Sequence, residues 1–419
     1  MVDLMNGFPP DPKQQVTLAN WRTPPFNKWA FHHVREIVPS ANIANDPEAV
    51  WQLNTIAQEM TELRIPGVGD RQLSWHEFLE QTHSDGLVVL HQGNLIYETY
   101  ANGLTEYTPH ILMSVSKSLL GLLSGILTGQ GVIDPAGQVT DYVPELAKTA
   151  YAGSMVQHLL DMRAGVEFNE DYLATSGPLV EYRKATNWDP LQQGEAVSDL
   201  RSFYQALTAT DGKHGQRFHY VSPNTDLLAW IIERAAGQRF NELLSQYLWQ
   251  PLGAERDAYI TVDRLGAPRP AGGICVTVRD LARLGQLLIQ DGQRGNRQII
   301  PTFWIEDMLH AGSARAWAEG SFVEYFPGLP IRYRSQWYVL DDTAPLLFGL
   351  GIHGQNLFVD QANAIVIAKV SSQPLPLDPE LNSLTMRAVA AIRCHLTQHT
   401  GGAANQQARE GHKSPCQAD

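Results

Sequence analysis

The chain has 419 residues, 43% of them hydrophobic and 18% charged, with 34 glycines, 25 prolines and a formal net charge of -13. That length predicts one large body or two interlocked lobes, and the composition excludes a disordered or fibrous chain. The acidic balance excludes broad contact with nucleic acid or anionic membranes, because the basic clusters Arg332 to Arg334 and Arg294 to Arg297 are sparse and read as solvated loops.

In chain order, Met1 to Lys13 lacks the basic start and apolar stretch of a secretory signal, and no run approaches about 18 apolar residues. A cytoplasmic protein is expected. Residues 1–60, with Trp21, Pro24, Pro25 and Trp29, read as an arm packed on the body. Gly86 to Gly103 reads as a hairpin turning at Gln92-Gly93-Asn94. Helical periodicity then covers Ser118 to Thr128, Val156 to Met162, Asp226 to Ala236 closed by Gly237, and Val278 to Gln290 before Gly292. At the start of the last of these, the Thr277 hydroxyl and the Asp280 carboxylate are placed to satisfy free N–H groups of the first turn.

A second strand cluster follows: Ser335 to Leu340, Gly354 to Asp360 and Ala364 to Ser371, turning near Gln361-Ala362-Asn363. A final amphipathic helix over Pro379 to His399 covers the sheet, and the polar stretch Gly401 to Asp419 reads as a disordered tail. The two strand clusters are expected to pair. The fold class is therefore α+β: an antiparallel sheet flanked by helices in a lobe of residues 61–110 and 300–400, with a mostly helical lobe, 111–299, inserted. Cys275, Cys394 and Cys416 are far apart and odd in number, which predicts free thiols rather than a disulfide framework or a zinc knuckle.

Chemistry enters at Met113-Ser114-Val115-Ser116-Lys117-Ser118, just before the apolar run Leu119 to Leu123 of a buried helix. Residues three apart share a helix face, so Ser114 and Lys117 can meet. A serine hydroxyl is a poor nucleophile until a base takes its proton, and lysine is a base only when neutral. Lowering its pKa by roughly 3 units costs about 4 kcal/mol, which burial against the Leu-rich helix can impose. The backbone N–H of Ser114, at a helix N-terminus, can donate to the oxyanion that forms on attack. Of the 20 serines only Ser114 has Lys three positions later. Roughly 0.4 such matches are expected by chance, so the pair alone is weak and a helix cap with a surface lysine is the bland alternative.

Further support comes from His219-Tyr220-Val221-Ser222-Pro223-Asn224, directly before a helix, and from the Gly-rich strand Gly351-Ile352-His353-Gly354-Gln355. With this triple the sequence resembles the penicillin-recognising serine hydrolases: class C β-lactamases, family VIII carboxylesterases and, most closely, 6-aminohexanoate-dimer hydrolases. The stretches His158 to Gly165, Tyr220 to Gly237 and Ala271 to Arg283 extend the resemblance over most of residues 80–375.

The resemblance implies a β-lactamase/transpeptidase-like fold and a serine hydrolase cleaving small carboxylic esters or linear amides through an acyl-enzyme on Ser114. It makes Lys117 the proton partner of Ser114 and Tyr220 the group that shuttles a proton to the leaving amine or alcohol. Ser222 falls where the family often has Asn, and Ile352 offers a second oxyanion N–H. Tyr172 and Trp188 resemble aromatic residues that close the pocket. No Lys-Thr-Gly stands on the third strand, where Ile352-His353-Gly354 leaves His353 as the residual cation, so good β-lactamase activity is not implied. Glu181-Tyr182-Arg183-Lys184 is mixed in sign where the dimer hydrolases can carry an acid for a substrate ammonium.

Other readings are a β-lactamase or D,D-peptidase, and a noncatalytic relative that binds an acyl compound. The expected partner is a small ester or amide, with no nucleic acid, no membrane, no cofactor and no metal; a homodimer is compatible with the reading. Gly349 to Gly354 matches G-x-G-x-x-G, but a strand follows it where a dinucleotide site needs a helix. His32-His33, His76-Glu77 and His214 with His219 lack metal-ligand spacing.

Overall fold

The computed structural model describes residues 4–404, with side chains as far as Gln398. Its main sheet has eight strands: β1 (Asn54–Thr55), β2 (Ser84–His91), β3 (Asn94–Tyr100), β4 (Ile331–Arg334), β5 (Trp337–Leu340), β6 (Leu346–Gly351), β7 (Gln355–Asp360) and β8 (Ile365–Ser371). Their order is β4-β5-β6-β7-β8-β2-β3-β1, antiparallel throughout except for the parallel pair β1 and β3. The early hairpin and the late strands therefore meet in one sheet, with Val89 opposite Ile367 where β2 pairs with β8.

These central strands are apolar on both faces because each face has a core. Val88, Leu90, Val366, Ala368 and Val370 point to one cluster, and Leu87, Val89, Ile365 and Ile367 to the other. Side chains alternate along a strand, so a continuous Leu-Val-Val-Leu run serves both sides.

Five helices matter for the site: α1 (Val115–Gly129), α2 (Pro178–Ala185), α3 (Ser222–Ala236), α4 (Val278–Ile289) and α5 (Pro379–Ala404). Leu281, Leu284 and Leu288 of α4 join the first cluster, whereas Leu384, Ala388, Val389 and Ile392 of α5 join the second. In α1 every residue from Val115 to Leu127 is buried. Gly121 allows this, because a Cβ there would stand 2.2 Å from the carbonyl oxygen of Ser335.

Helix boundaries fall close to the expected ones, and α3 ends on Gly237 in the left-handed conformation, φ 65°. At α4 the Thr277 hydroxyl accepts the Asp280 N–H as expected. The Asp280 carboxylate does not cap; it accepts the N–H groups of Glu255 and Arg256 and pairs with Arg283. The expectation of solvated arginines at 332–334 also fails. Arg332 and Arg334 lie on β4, where Arg332 pairs with Asp341 and Arg334 with both Asp161 and Asp307.

A smaller sheet, ordered Ser40–Ile43, Ala258–Thr261, Ile274–Val276 and His110–Ile111, joins the N-terminal segment to the mostly helical part of the chain. The first of its strands belongs to residues 1–60, which also provide β1. Trp21, Phe31 and Val34 of that segment form a third core with Ile111, Met113, Trp188 and Tyr259. The final helix runs to Ala404, past the expected end at His399, and residues 405–419 of the expected tail lie outside the described residues. Cys275 is a buried free thiol, whereas Cys394 is disulfide-bonded, against the expectation for it. No helix among the described residues is long and apolar enough to cross a membrane.

Candidate active site

The short strand His110–Ile111 delivers the chain to Met113, whose φ of 45° lies in the left-handed region that non-glycine residues rarely occupy. The N–H groups of Val115 and Ser116 close back on the carbonyls of Leu112 and Met113, so the chain turns sharply into α1 with Ser114 at its N-terminal boundary. Lys117, one turn on, donates from Nζ to Ser114 Oγ at 2.9 Å, to Ser222 Oγ at 3.0 Å and to the Ala271 carbonyl at 2.6 Å.

Its side chain is 1% exposed. Burial, the largest influence, pushes the Lys117 amine down to about 8, with Glu170 and Asp226 opposing and Arg269 assisting. Relative to the ordinary value of 10.5, the ammonium form is disfavoured by roughly 3 kcal/mol. Near neutral pH a useful fraction is therefore the free amine, whose lone pair can take the Ser114 proton.

Ser222 opens α3 and links Lys117 to Glu170: its N–H donates to one Glu170 oxygen at 2.7 Å and its hydroxyl to the other. The Tyr172 hydroxyl donates to Glu170 at 3.0 Å. The loop that carries Ala271 is held by Asp226, which accepts the Ala271 N–H at 2.8 Å and the Tyr182 hydroxyl. Burial raises the Asp226 carboxyl to about 6.

Tyr220 lies beside these groups but meets Lys117 with its ring face, whose centroid is 4.9 Å from Nζ. The ring stacks on Phe322 at 4.5 Å, and burial first of all raises its phenol well above the ordinary value, keeping it protonated.

Gly351 ends β6 against the turn that carries Ser114: a Cβ there would stand 2.6 Å from the Leu112 carbonyl oxygen and 3.0 Å from the Ser114 nitrogen. Only glycine lets the strand approach so closely. Among the described residues neither the Ser114 N–H nor the Ile352 N–H donates to a protein acceptor. Both residues line one pocket together with Met113, Glu170, Tyr172, Trp188 and Ser222. An open cavity lined by Asp46, Trp51, Gln246 and Arg297 shares no residue with it and contains no serine or cysteine.

Of the residues singled out in the sequence, Ser114, Lys117, Ser222, Tyr172, Trp188 and Ile352 come together, and Tyr220 abuts them. His353 does not reach the pocket. It is 2% exposed, bonded through Nδ1 to the Gln373 carbonyl at 2.7 Å and edge-on to Phe31, and burial lowers its pKa to about 4. It therefore supplies no positive charge near neutral pH.

Glu170, Arg22 and Arg269 also line the pocket and were not legible in the sequence, since no local pattern links them to Ser114. Among the described residues no group of three or more His, Cys, Asp or Glu side chains could hold a metal ion.

A half-buried serine and a buried lysine at a helix start, beside a helix-flanked antiparallel sheet, define the class of serine hydrolases with a β-lactamase/transpeptidase-like fold. The beta-lactamase family model matches residues 54–391, and the chain belongs to that family. It is 37% identical over 363 residues to the 6-aminohexanoate-dimer hydrolase of Paenarthrobacter ureafaciens, covering 86% of this chain and 89% of that one. A solved Bacillus anthracis structure, provisionally named a 6-aminohexanoate-dimer hydrolase, superposes with a TM-score of 0.84 at 26% identity, covering 93% of this chain and 99% of that one. EstCE1, a hydrolase with promiscuous acyltransferase activity, shares the fold with a TM-score of 0.59 at 18% identity, over 75% of this chain and 95% of that one.

Proposed function

We propose that the enzyme cleaves small carboxylic esters or linear amides through an acyl-enzyme on Ser114. The observation that carries this reading is the 2.9 Å contact between Ser114 Oγ and a buried amine whose pKa is lowered to about 8. Ser114 attacks the carbonyl as its proton moves to Lys117, and the oxyanion is received by the N–H groups of Ser114 and Ile352. The tetrahedral intermediate expels an amine or alcohol that takes a proton through Tyr220, with Ser222 relaying between Lys117 and Glu170. Water then releases the acid. Tyr172 and Trp188 wall the acyl pocket. The named relatives support an amide or ester bond as the target, including 6-aminohexanoate-type oligomers. A cytoplasmic location and a homodimeric assembly belong to the same proposal.

Intact mass measurement during turnover of p-nitrophenyl butyrate tests it. A nitrophenol burst with a matching acyl adduct is expected, and Ser114→Ala should lose both while turnover falls about 10⁴-fold or more. Turnover surviving in that variant would end the proposal. Nitrocefin hydrolysed as fast as the ester would favour a β-lactamase instead.

A further inference from the structure

Three arginines from separate parts of the chain line the pocket that contains Ser114: Arg22 from the N-terminal segment, Arg183 from α2 and Arg269 from the loop before Ala271. Among the described residues only two of the three pair directly with a carboxylate. Arg22 and Arg183 share a single carboxylate, Asp189, with Arg183 Nε at 2.9 Å from it. Arg183 spends its remaining nitrogens on the carbonyls of Tyr172 and Ala174. Glu170, the one carboxylate among the lining residues, accepts from Ser222 twice and from Tyr172 once, and makes no ion pair among the described residues.

Arg269 has no direct carboxylate partner among the described residues and meets Asp226 only through space, across Tyr182. It is 6% exposed, and among the described residues no carboxylate stands within ion-pair distance of it. Its guanidinium lies over Trp188, 3.5 Å from the ring centroid, and over Tyr182 at 4.8 Å, and it donates to Thr186 Oγ1 at 2.8 Å. Its Nε has no partner, nor has that of Arg22. Burial above all lowers Arg22 to about 10, with Asp189 opposing and Arg183 and Arg269 assisting. A buried guanidinium that packs on two aromatic rings and keeps an unused N–H can receive a planar oxyanion. Leaving it unpaired is costly, so a ligand that completes the pair gains by it.

We infer that the substrate is an ester or amide bearing a free carboxylate, which pairs with Arg269 beside Arg22 and Arg183 while Ser114 attacks the scissile carbonyl. This deepens the function proposed above and rests on it for the catalytic half. The three guanidinium groups repel a substrate ammonium from this wall.

Three p-nitrophenyl esters of similar size test the inference on the unaltered enzyme: the glutarate half-ester, its neutral methyl ester and the cationic 6-aminohexanoate. The anionic ester is expected to show the highest kcat/KM, by about tenfold or more over the neutral one, a margin worth about 1.4 kcal/mol. Added salt should narrow the margin. In Arg269→Gln the anionic-to-neutral ratio should fall to about one, mainly through KM, and Arg269→Lys should keep part of it.

Equal rates for the anionic and neutral esters, or a preference for the cationic one, would overturn the inference whatever the variants do. Calorimetry with glutarate against glutaramide separates the two levels of the proposal. Glutarate bound tightly by an enzyme that hydrolyses none of the esters retains the anion site and refutes the hydrolase reading. Ester turnover without glutarate binding or anionic preference does the reverse.

Discussion

Glu170→Gln isolates the electrostatics of the nucleophile. Ser222 Oγ lies 3.0 Å from Lys117 Nζ and hydrogen-bonds Glu170, so the carboxylate and the amine stand roughly 5 Å apart. At an effective dielectric of about 20, that pair is worth at most about 3 kcal/mol. The amide dipole that replaces the charge, together with relaxation, should leave about half of it, equivalent to about one pH unit. The sign follows from the charge: the carboxylate favours the ammonium and raises Lys117, so its loss lowers an amine that already stands at about 8. Because the base acts only when neutral, activity rises with pH through that pKa. The acidic limb of kcat/KM is therefore expected near 8 in the parent enzyme and near 7 in the variant. A pH-stat assay of ester hydrolysis from about pH 6 to about pH 9 reads both limbs. The glutamine carbonyl can still accept the Ser222 N–H, so the site should remain assembled. A limb that stays in place or moves upward would refute the assignment of Lys117 as the base held by this charge pattern.

The remaining predictions concern the leaving-group proton, the oxyanion site and the Arg334–Asp161 ion pair. Tyr220→Phe should lower kcat by about 10²- to 10⁴-fold with little change in KM, and an unaltered kcat would remove the phenol from the mechanism. Gly351→Ala, whose Cβ would stand 3.0 Å from the Ser114 nitrogen, should cost at least about tenfold in kcat and about 1–3 kcal/mol in stability, read by steady-state kinetics and urea unfolding. Arg334→Met strands the carboxylate of Asp161, only 5% exposed, and should destabilise by about 3 kcal/mol at neutral pH. Burial already raises Asp161, and losing its cation raises it further, so that penalty should shrink as pH falls and the carboxyl protonates.

Much of the fold was legible in short-range patterns. The Gln92-Gly93 turn, the apolar run after Ser114 and the glycine closing α3 each report local backbone preference, and each element lies where those signals place it. Strand β4 escaped notice because Arg332 and Arg334 break the apolar pattern, and the Gly-rich strand expected over Gly351 to Gln355 is instead the end of β6, the turn at residues 352–354 and the start of β7. The ion pairs of β4 and the close approach of β6 to the turn that carries Ser114 are long-range facts. The small sheet was missed for the same reason, its strands being no longer than four residues and drawn from distant segments.

What the sequence by itself determined is the reactive pair: helical spacing brings Ser114 and Lys117 together regardless of what surrounds them. Tertiary structure alone decided the environment that makes the pair chemical. Burial of Lys117, the Ala271 carbonyl, the Ser222–Glu170 link and three arginines reach the site from segments up to about 160 residues away in the chain. A pKa depends on every charge and on the solvent within a few ångströms. Proximity of that kind arises from packing, which no local motif encodes.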